Sequence, residues 1–175
     1  FYGRVLDRRR IKKEGSLEDL LMNLRYDFLS GIAKKFLAKK IVLGHTQDDQ
    51  AETVLMRILR GSGLYGLSAI LPKRTLDSFQ IVRPLIEVPR KEIMRYLKTN
   101  KIRYRLDATN LSEKFMRNKV RNKLLPLLEK EYNPNIKEVL SHFALLVGAD
   151  YNYLECEADG FLKRNLKCID KHHGL

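Results

Sequence analysis

The sequence predicts an α/β fold, a parallel sheet with flanking helices followed by a helical region, and three observations predict it. The apolar run Ile41-Val42-Leu43 leads directly into Gly44-His45-Thr46-Gln47-Asp48-Asp49-Gln50-Ala51-Glu52-Thr53 and an amphipathic stretch from Val54 to Leu59, which is the order strand, turn, helix. Two further strand-like runs, Gln80 to Arg83 and Ile102 to Leu106, alternate with helical stretches, and that alternation indicates βαβ units and parallel pairing. From Phe115 the strand signals stop, and basic and helical patterns take over. The division expected is an α/β domain over 1–112 and a basic helical region over 113–175.

Residues 1–15 (FYGRVLDRRRIKKEG) read as a basic strand end or loop. A domain opening there lacks its first strands, so the chain is expected to be a fragment. Ser16 with Asp19 forms a capping-box pattern, and Leu17, Leu20, Leu21, Leu24, Phe28, Leu29, Ile32 and Phe36 recur at helical spacing, which predicts a helix over 17–37. Lys39 to Leu43 is a short buried strand. Asp48 to Arg60 is a helix stopped by Gly61. Arg60 to Leu67 (RGSGLYGL) is a glycine-rich turn: its glycines let backbone N–H groups approach a phosphate, or they simply cap the helix. Gln80 to Arg83 is a strand ended by Pro84. Pro89 takes the first helical position of a helix that runs through Arg90 to Asn100. Ile102, Tyr104 and Leu106 alternate as in a strand, and Asp107-Ala108-Thr109-Asn110 follows as a loop. Arg117 to Lys123 opens a densely basic helix that Pro126 must kink or restart. After Asn133-Pro134 a long helix runs from Asn135 to about Leu166, with Ile136, Val139, Leu140, Phe143, Leu146 and Val147 as its early core stripe. His172 and His173 in the tail lack a spaced third ligand.

At 175 residues and 44% apolar content the chain can bury a full core, which excludes general disorder. It has no apolar run of about 18 residues, so no membrane span is expected. No apolar h-region follows Phe1-Tyr2-Gly3-Arg4, so this start is not a signal peptide. The charge is unusual: 34 Lys and Arg against 21 Asp and Glu give +13. Such a surplus points to a polyanion, most often nucleic acid, with a solvated basic surface as the alternative. Cys156 and Cys168 match neither a disulfide scaffold nor a metal motif, and they suit a reducing, cytoplasmic compartment.

The chemistry concentrates in the 44–53 run. A helix N-terminus presents free N–H groups and partial positive charge, which favours Asp48, Asp49 and Glu52 in the first turn. Asp49 and Glu52 are three apart, share a face, and can grip one cation or ammonium group together. The plainer reading is an acid-rich helix start. His45 at the strand end adds to the functional reading, because ligands of α/β sheets bind beyond the carboxyl ends of strands.

Taken in order, Leu24-Arg25-Tyr26, the GHTQDDQAET run, Arg57 to Leu67, Arg83-Pro84-Leu85, Asp107 to Asn110 and Arg117-Asn118-Lys119-Val120-Arg121 up to Leu125-Pro126 give the chain a close likeness. Over about 17–135 it resembles the tRNA(Ile)-lysidine synthetases, within the PP-loop, N-type ATP pyrophosphatases of Rossmann-like fold. The DDQAET run alone is shared with tRNA-thiolating enzymes; the RGSGxxGL and RNxxR pieces favour the lysidine branch. The resemblance implies ATP-dependent adenylation of C2 of the wobble cytidine of tRNA(Ile), attack by the side-chain amine of free lysine, and loss of AMP. The family's SGGxDS nucleotide loop is absent from this sequence, so the stretch given is expected to be inactive alone.

The resemblance also implies site residues. His45, Asp49 and Arg25 are catalytic; Asp49, Glu52 and Arg117 hold lysine, the acids at its ammonium and the arginine fork at its carboxylate. Arg25, Asp48, Gly61, Ser62 and Gly63 hold ATP, with Mg²⁺ at Asp48. Arg117, Lys119, Arg121 and Lys123 meet tRNA, for Arg117 as an alternative to the lysine carboxylate. Two rivals stand: a thiolating enzyme of the same fold, which commonly uses a CxxC pair or a catalytic thiol, and a non-catalytic RNA-binding module, which leaves Asp48, Asp49 and Glu52 without a task.

Overall fold

The computed structural model describes residues 2–3, 17–76, 78–105 and 116–172. The Ser16 cap, most of the basic N-terminal stretch, the 107–110 loop and His173 lie outside the described residues. Two compact units emerge, one of Phe1–Leu43 with Lys73–Val82, the other of Gly44–Pro72 with Arg83–Leu175.

In the first unit, helix α1 (Leu17–Lys35) precedes strand β1 (Lys40–Val42), and strands β2 (Lys73–Leu76) and β3 (Phe79–Val82) complete a sheet of order β1-β3-β2. Strands β1 and β3 run parallel, with Ile41 beside Ile81. Strand β2 pairs antiparallel with β3, from Lys73 opposite Val82 to Leu76 opposite Phe79. The expected parallel pair is therefore present, and β2 makes the sheet mixed. Ala33, Ile41, Phe79 and Ile81 form the core, with Tyr26 and Leu29 of α1 packed against them. Helix α1 stops two residues short of the predicted 37. Leu37 adopts φ 54°, and the Ala38 N–H turns back to the Ala33 carbonyl at 2.9 Å, the bond pattern of a helix end.

In the second unit, α2 (Gln47–Arg60) packs through Ala51 and Val54 on Leu140 and Ala144 of α7 (Ile136–His172), with Val120 and Leu125 closing the same core. Buried Gln50 ties α2 to the chain after the short helix α3 (Leu64–Leu67): its Oε1 accepts the Ile70 N–H at 2.9 Å. Helix α4 (Arg90–Thr99) starts one residue later than predicted, with Pro89 as its N-cap rather than its first helical residue. Helix α7 continues to His172, past the predicted Leu166. Among the described residues no helix is long and apolar enough to cross a membrane.

Two sequence expectations need correction. Ile102 to Arg105 is not a strand: the four residues are exposed, and the Ile102 N–H bonds to the Leu97 carbonyl at 2.9 Å as the close of α4. Leu106 lies outside the described residues. The basic stretch is not one regular helix either. Helix α5 (Met116–Lys119) passes into a π-helical turn (Val120–Leu124) and then α6 (Leu125–Glu131). Pro126 explains the widened turn. It lacks an N–H, and its ring would collide with the Asn122 carbonyl of a regular helix. A turn closed instead by the Leu125 N–H on the Val120 carbonyl relieves that collision.

Candidate active site

Helix α2 opens on a capping box that pattern-reading did not single out. Thr46, in extended conformation, accepts the Asp49 N–H on Oγ1 at 3.4 Å. Asp49 Oδ2 in turn accepts the Thr46 N–H and hydroxyl, both at 2.9 Å. This fixes the Asp49 carboxylate and leaves its other oxygen facing α5.

That second oxygen and the whole of Glu52 meet two arginines from 65 to 72 residues away. Asp49 Oδ1 accepts from Arg117 Nη2 at 3.0 Å and Arg121 Nη2 at 3.3 Å. Glu52 Oε2 accepts from Arg117 Nε and Arg121 Nη2, both at 2.8 Å, and its Oε1 accepts from Arg121 Nε at 2.6 Å. The Glu52 side chain is 1% exposed; Asp49 is 18%, Arg121 24% and Arg117 34% exposed. Residues 49 and 52 share one face of α2, and 117 and 121 share one face of the stretch that contains the π turn, so two short-range spacings produce one long-range net. Two carboxylates and two guanidiniums balance in formal charge. That balance is why a carboxylate as buried as Glu52 is tolerated. Burial alone would raise the Asp49 carboxyl; the Thr46 N–H, Arg117, the Thr46 hydroxyl and Arg121 outweigh it, and the group titrates below the ordinary aspartate value.

Asp48 points elsewhere. Its Oδ2 accepts the Arg90 N–H at 2.7 Å, which supplies α4 with the cap that Pro89 cannot give. Its Oδ1 lies 3.3 Å from Lys137 Nζ, and Lys137 also reaches Glu129 at 3.0 Å. Burial pushes the Lys137 ammonium down, but Glu129 and Asp48 more than offset it and hold the group above the ordinary lysine value. With both oxygens engaged and an ammonium alongside, Asp48 does not fit a resident Mg²⁺ ion. Among the described residues no group of three His, Cys, Asp or Glu side chains could hold a metal.

Arg25 stands exposed on α1, in the first unit. Gly61 closes α2 at φ 75°, and the N–H groups of Gly61 and Ser62 donate to the Ile58 and Arg57 carbonyls, the geometry of a helix end. Gly63 is the N-cap of α3. Lys119 and Lys123 are exposed beside the arginine pair. His45 is half-buried, and its Nδ1 accepts Arg83 Nε at 3.1 Å. Sequence reasoning assigned no role to Arg83 or Lys137. The available signal for Arg83 was a lone cation directly after a strand and before a proline.

A family profile described as the PP-loop domain matches residues 4–128. The tRNA(Ile)-lysidine synthase of Solibacter usitatus is 47% identical over 131 residues, 75% of this chain and 29% of that protein. The tRNA(Ile)-lysidine synthase of Clostridium acetobutylicum is 39% identical over 157 residues, 89% of this chain and 33% of that protein. The bifunctional protein TilS/HprT of Listeria monocytogenes is 38% identical over 150 residues, 86% of this chain and 23% of that protein. The chain thus spans a third or less of the length of these relatives. Among solved structures, the U34-tRNA thiolase NcsA from Methanococcus maripaludis with its [4Fe-4S] cluster superposes with a TM-score of 0.61 at 18% identity, over 82% of this chain and 47% of that one. At that identity the likeness shows the fold alone.

Proposed function

This chain belongs to the PP-loop domain family, and on that premise we propose that it serves the ATP-dependent joining of lysine to C2 of the wobble cytidine of tRNA(Ile), through an adenylated tRNA, to form lysidine. One observation carries the reading: the DDQAET and RNxxR segments, far apart in sequence, meet in a single charge-balanced net in a chain whose relatives are tRNA(Ile)-lysidine synthases.

In this reading cytidine O2 attacks the α-phosphate of ATP and pyrophosphate leaves; the lysine side-chain amine then attacks C2 and AMP leaves. Asp49, Glu52 and Arg117 form the lysine site. Glu52, at 1% exposure, contributes by holding Arg117 and Arg121 in place. Asp49, 18% exposed, offers the lysine ammonium the Oδ1 it now shares with Arg117 and Arg121, so the ammonium takes over one of those contacts, and Arg117, the most exposed member of the net, faces the lysine carboxylate. His45 lies at the reacting groups and Arg25 at the nucleotide. Mg²⁺ enters with the triphosphate, whose oxygens are its natural ligands. The region 113–175 faces tRNA, with Lys119 and Lys123 directed at phosphates, while Arg121, the third cation expected there, is turned to Glu52 and Asp49; the compartment is cytoplasmic.

The test incubates the intact protein with ATP, lysine and tRNA(Ile) transcript and analyses the digested tRNA by mass spectrometry. Lysidine in place of one cytidine, with AMP released in equal amount, is the expected result. A sulfur-containing nucleoside, or unmodified tRNA with no AMP, would sink the reading.

A further inference from the structure

Arg83, buried and bonded to His45, is a charged residue that the scheme above leaves without a task. Its side chain is fixed by its surroundings. It is buried, with the residue 6% exposed; it donates from Nη1 to the Leu71 carbonyl at 2.6 Å; and it donates from Nε to His45 Nδ1 at 3.1 Å. The backbone on either side is fixed as well: the Arg83 N–H reaches the Pro72 carbonyl at 2.9 Å, and its own carbonyl accepts the Ile86 N–H at 3.3 Å. A guanidinium held so firmly has little freedom to rotate its Nε–H away from the imidazole.

The chemistry of that bond is directional. A guanidinium has donors and no acceptor, so the nitrogen it addresses must carry a lone pair. His45 Nδ1 is therefore unprotonated, and a neutral imidazole with a bare Nδ1 carries its proton on Nε2. We infer that Arg83 is a positioning residue that holds His45 as the neutral Nε2–H imidazole, so that His45 acts in the reaction as a hydrogen-bond donor to an acceptor oxygen and not as the base that takes a proton from lysine. The same logic, in which the partner at one ring nitrogen sets what the other can do, orients histidines in metal and hydrolase sites. The acceptor is a phosphate oxygen of ATP or the 2-oxygen of cytidine. The inference rests on the proposed reaction for its functional half, and on the Arg83–His45 bond alone for its structural half.

The structural half is tested without turnover. In the intact protein labelled with ¹⁵N-histidine, long-range proton–nitrogen correlation near neutral pH should show His45 with a bare Nδ1 and a protonated Nε2. An Nδ1–H tautomer or an imidazolium overturns the inference whatever the activity. Arg83→Lys keeps the charge but loses the Nε donor. It should mix the two tautomers while the circular dichroism spectrum stays native; a native-like variant with unchanged tautomer overturns the positioning role.

The functional half compares two amides. His45→Gln restores an N–H near the Nε2 position, whereas His45→Asn places its amide at the Nδ1 position and leaves nothing at Nε2. Tautomer control predicts that Gln retains much of the adenylation rate and that Asn loses about 100-fold or more, the loss expected for one missing donor at developing charge. Equal losses in both variants overturn the donor role. A KM rise confined to ATP assigns the acceptor to phosphate, and one confined to tRNA assigns it to the cytidine. If the wild-type protein adenylates no tRNA while the tautomer is as expected, the proposed reaction falls and the Arg83–His45 assignment stands.

Discussion

Glu52→Gln is the most informative single change in this chain. The substitution preserves volume and helix propensity and removes one negative charge from a side chain that is 1% exposed. Three charge-assisted hydrogen bonds converge on the carboxylate, at 2.6, 2.8 and 2.8 Å. A glutamine oxygen placed at the Oε2 position can keep the two bonds from Arg117 Nε and Arg121 Nη2. Its NH₂ then faces Arg121 Nε, donor against donor, at the shortest contact in the net. The formal charge of the four groups also moves from balance to +1 in a partly desolvated place. One charge-assisted bond is worth about 1.5–3 kcal/mol, and breaking a buried pair by altering one partner costs about 3–5 kcal/mol in all. For a domain of this size, that corresponds to a melting temperature lower by about 6–20 °C. Urea and thermal unfolding of wild type and variant give the number directly. Adding Arg121→Gln to the variant should recover part of the loss, since the second change removes the stranded guanidinium; the double-mutant cycle reports the coupling. A variant within about 1 kcal/mol of wild type would refute the ion-pair account of Glu52. An unmoved melting curve with lysine KM raised about tenfold, equivalent to about 1.4 kcal/mol, would instead place the substrate ammonium directly on the acid pair.

Three further outcomes follow from the same geometry. Asp49 is held below the ordinary aspartate value of 3.8, so the folded state binds its proton less readily than the unfolded chain; its contribution to stability is complete above that value and is lost as pH falls through the folded pKa, and an Asp49→Asn variant should flatten that acid limb of the stability–pH curve. A Cβ at Gly66 would lie 2.6 Å from Ser62 Cβ and 3.0 Å from Ser62 Oγ, so Gly66→Ala should lower the melting temperature and Ser62→Gly in the same chain should restore most of it. For tRNA binding, Lys119→Ala and Lys123→Ala should each reduce the slope of log K against log salt by about 1 without changing which tRNA is preferred; an unchanged slope would remove these lysines from the phosphate contacts.

What was legible in the sequence follows the range of the forces involved. Strand β1 and helix α2 were readable because an apolar triplet, a polar turn and a 3.6-residue stripe are local signals. Strand β2 was missed because Lys73-Arg74-Thr75-Leu76 has no apolar alternation: it lies at the sheet edge with its first three residues exposed, and its strand character comes from the backbone of β3 rather than from its own side chains. The opposite error at 102–105 has the same root. Alternation of Ile102 and Tyr104 suggested a strand, but the N–H needed for a ladder was already bonded within the close of α4.

The three acids of α2 show the same limit at the site. Sequence placed all of them in one helical turn, and the spacing of 49 and 52 correctly put that pair on one face. It could not say which cations they would meet, because those lie 65 to 89 residues further on. In the structure the three carboxylates do three different jobs. Asp48 caps α4 and receives Lys137, Asp49 locks its own helix start while reaching Arg117 and Arg121, and Glu52 is enclosed by the same arginines. A cation or ammonium arriving at this turn therefore meets carboxylates already neutralised by lysine and arginine. The proposed lysine ligand, with an ammonium and a carboxylate, is matched to both signs of charge in that net.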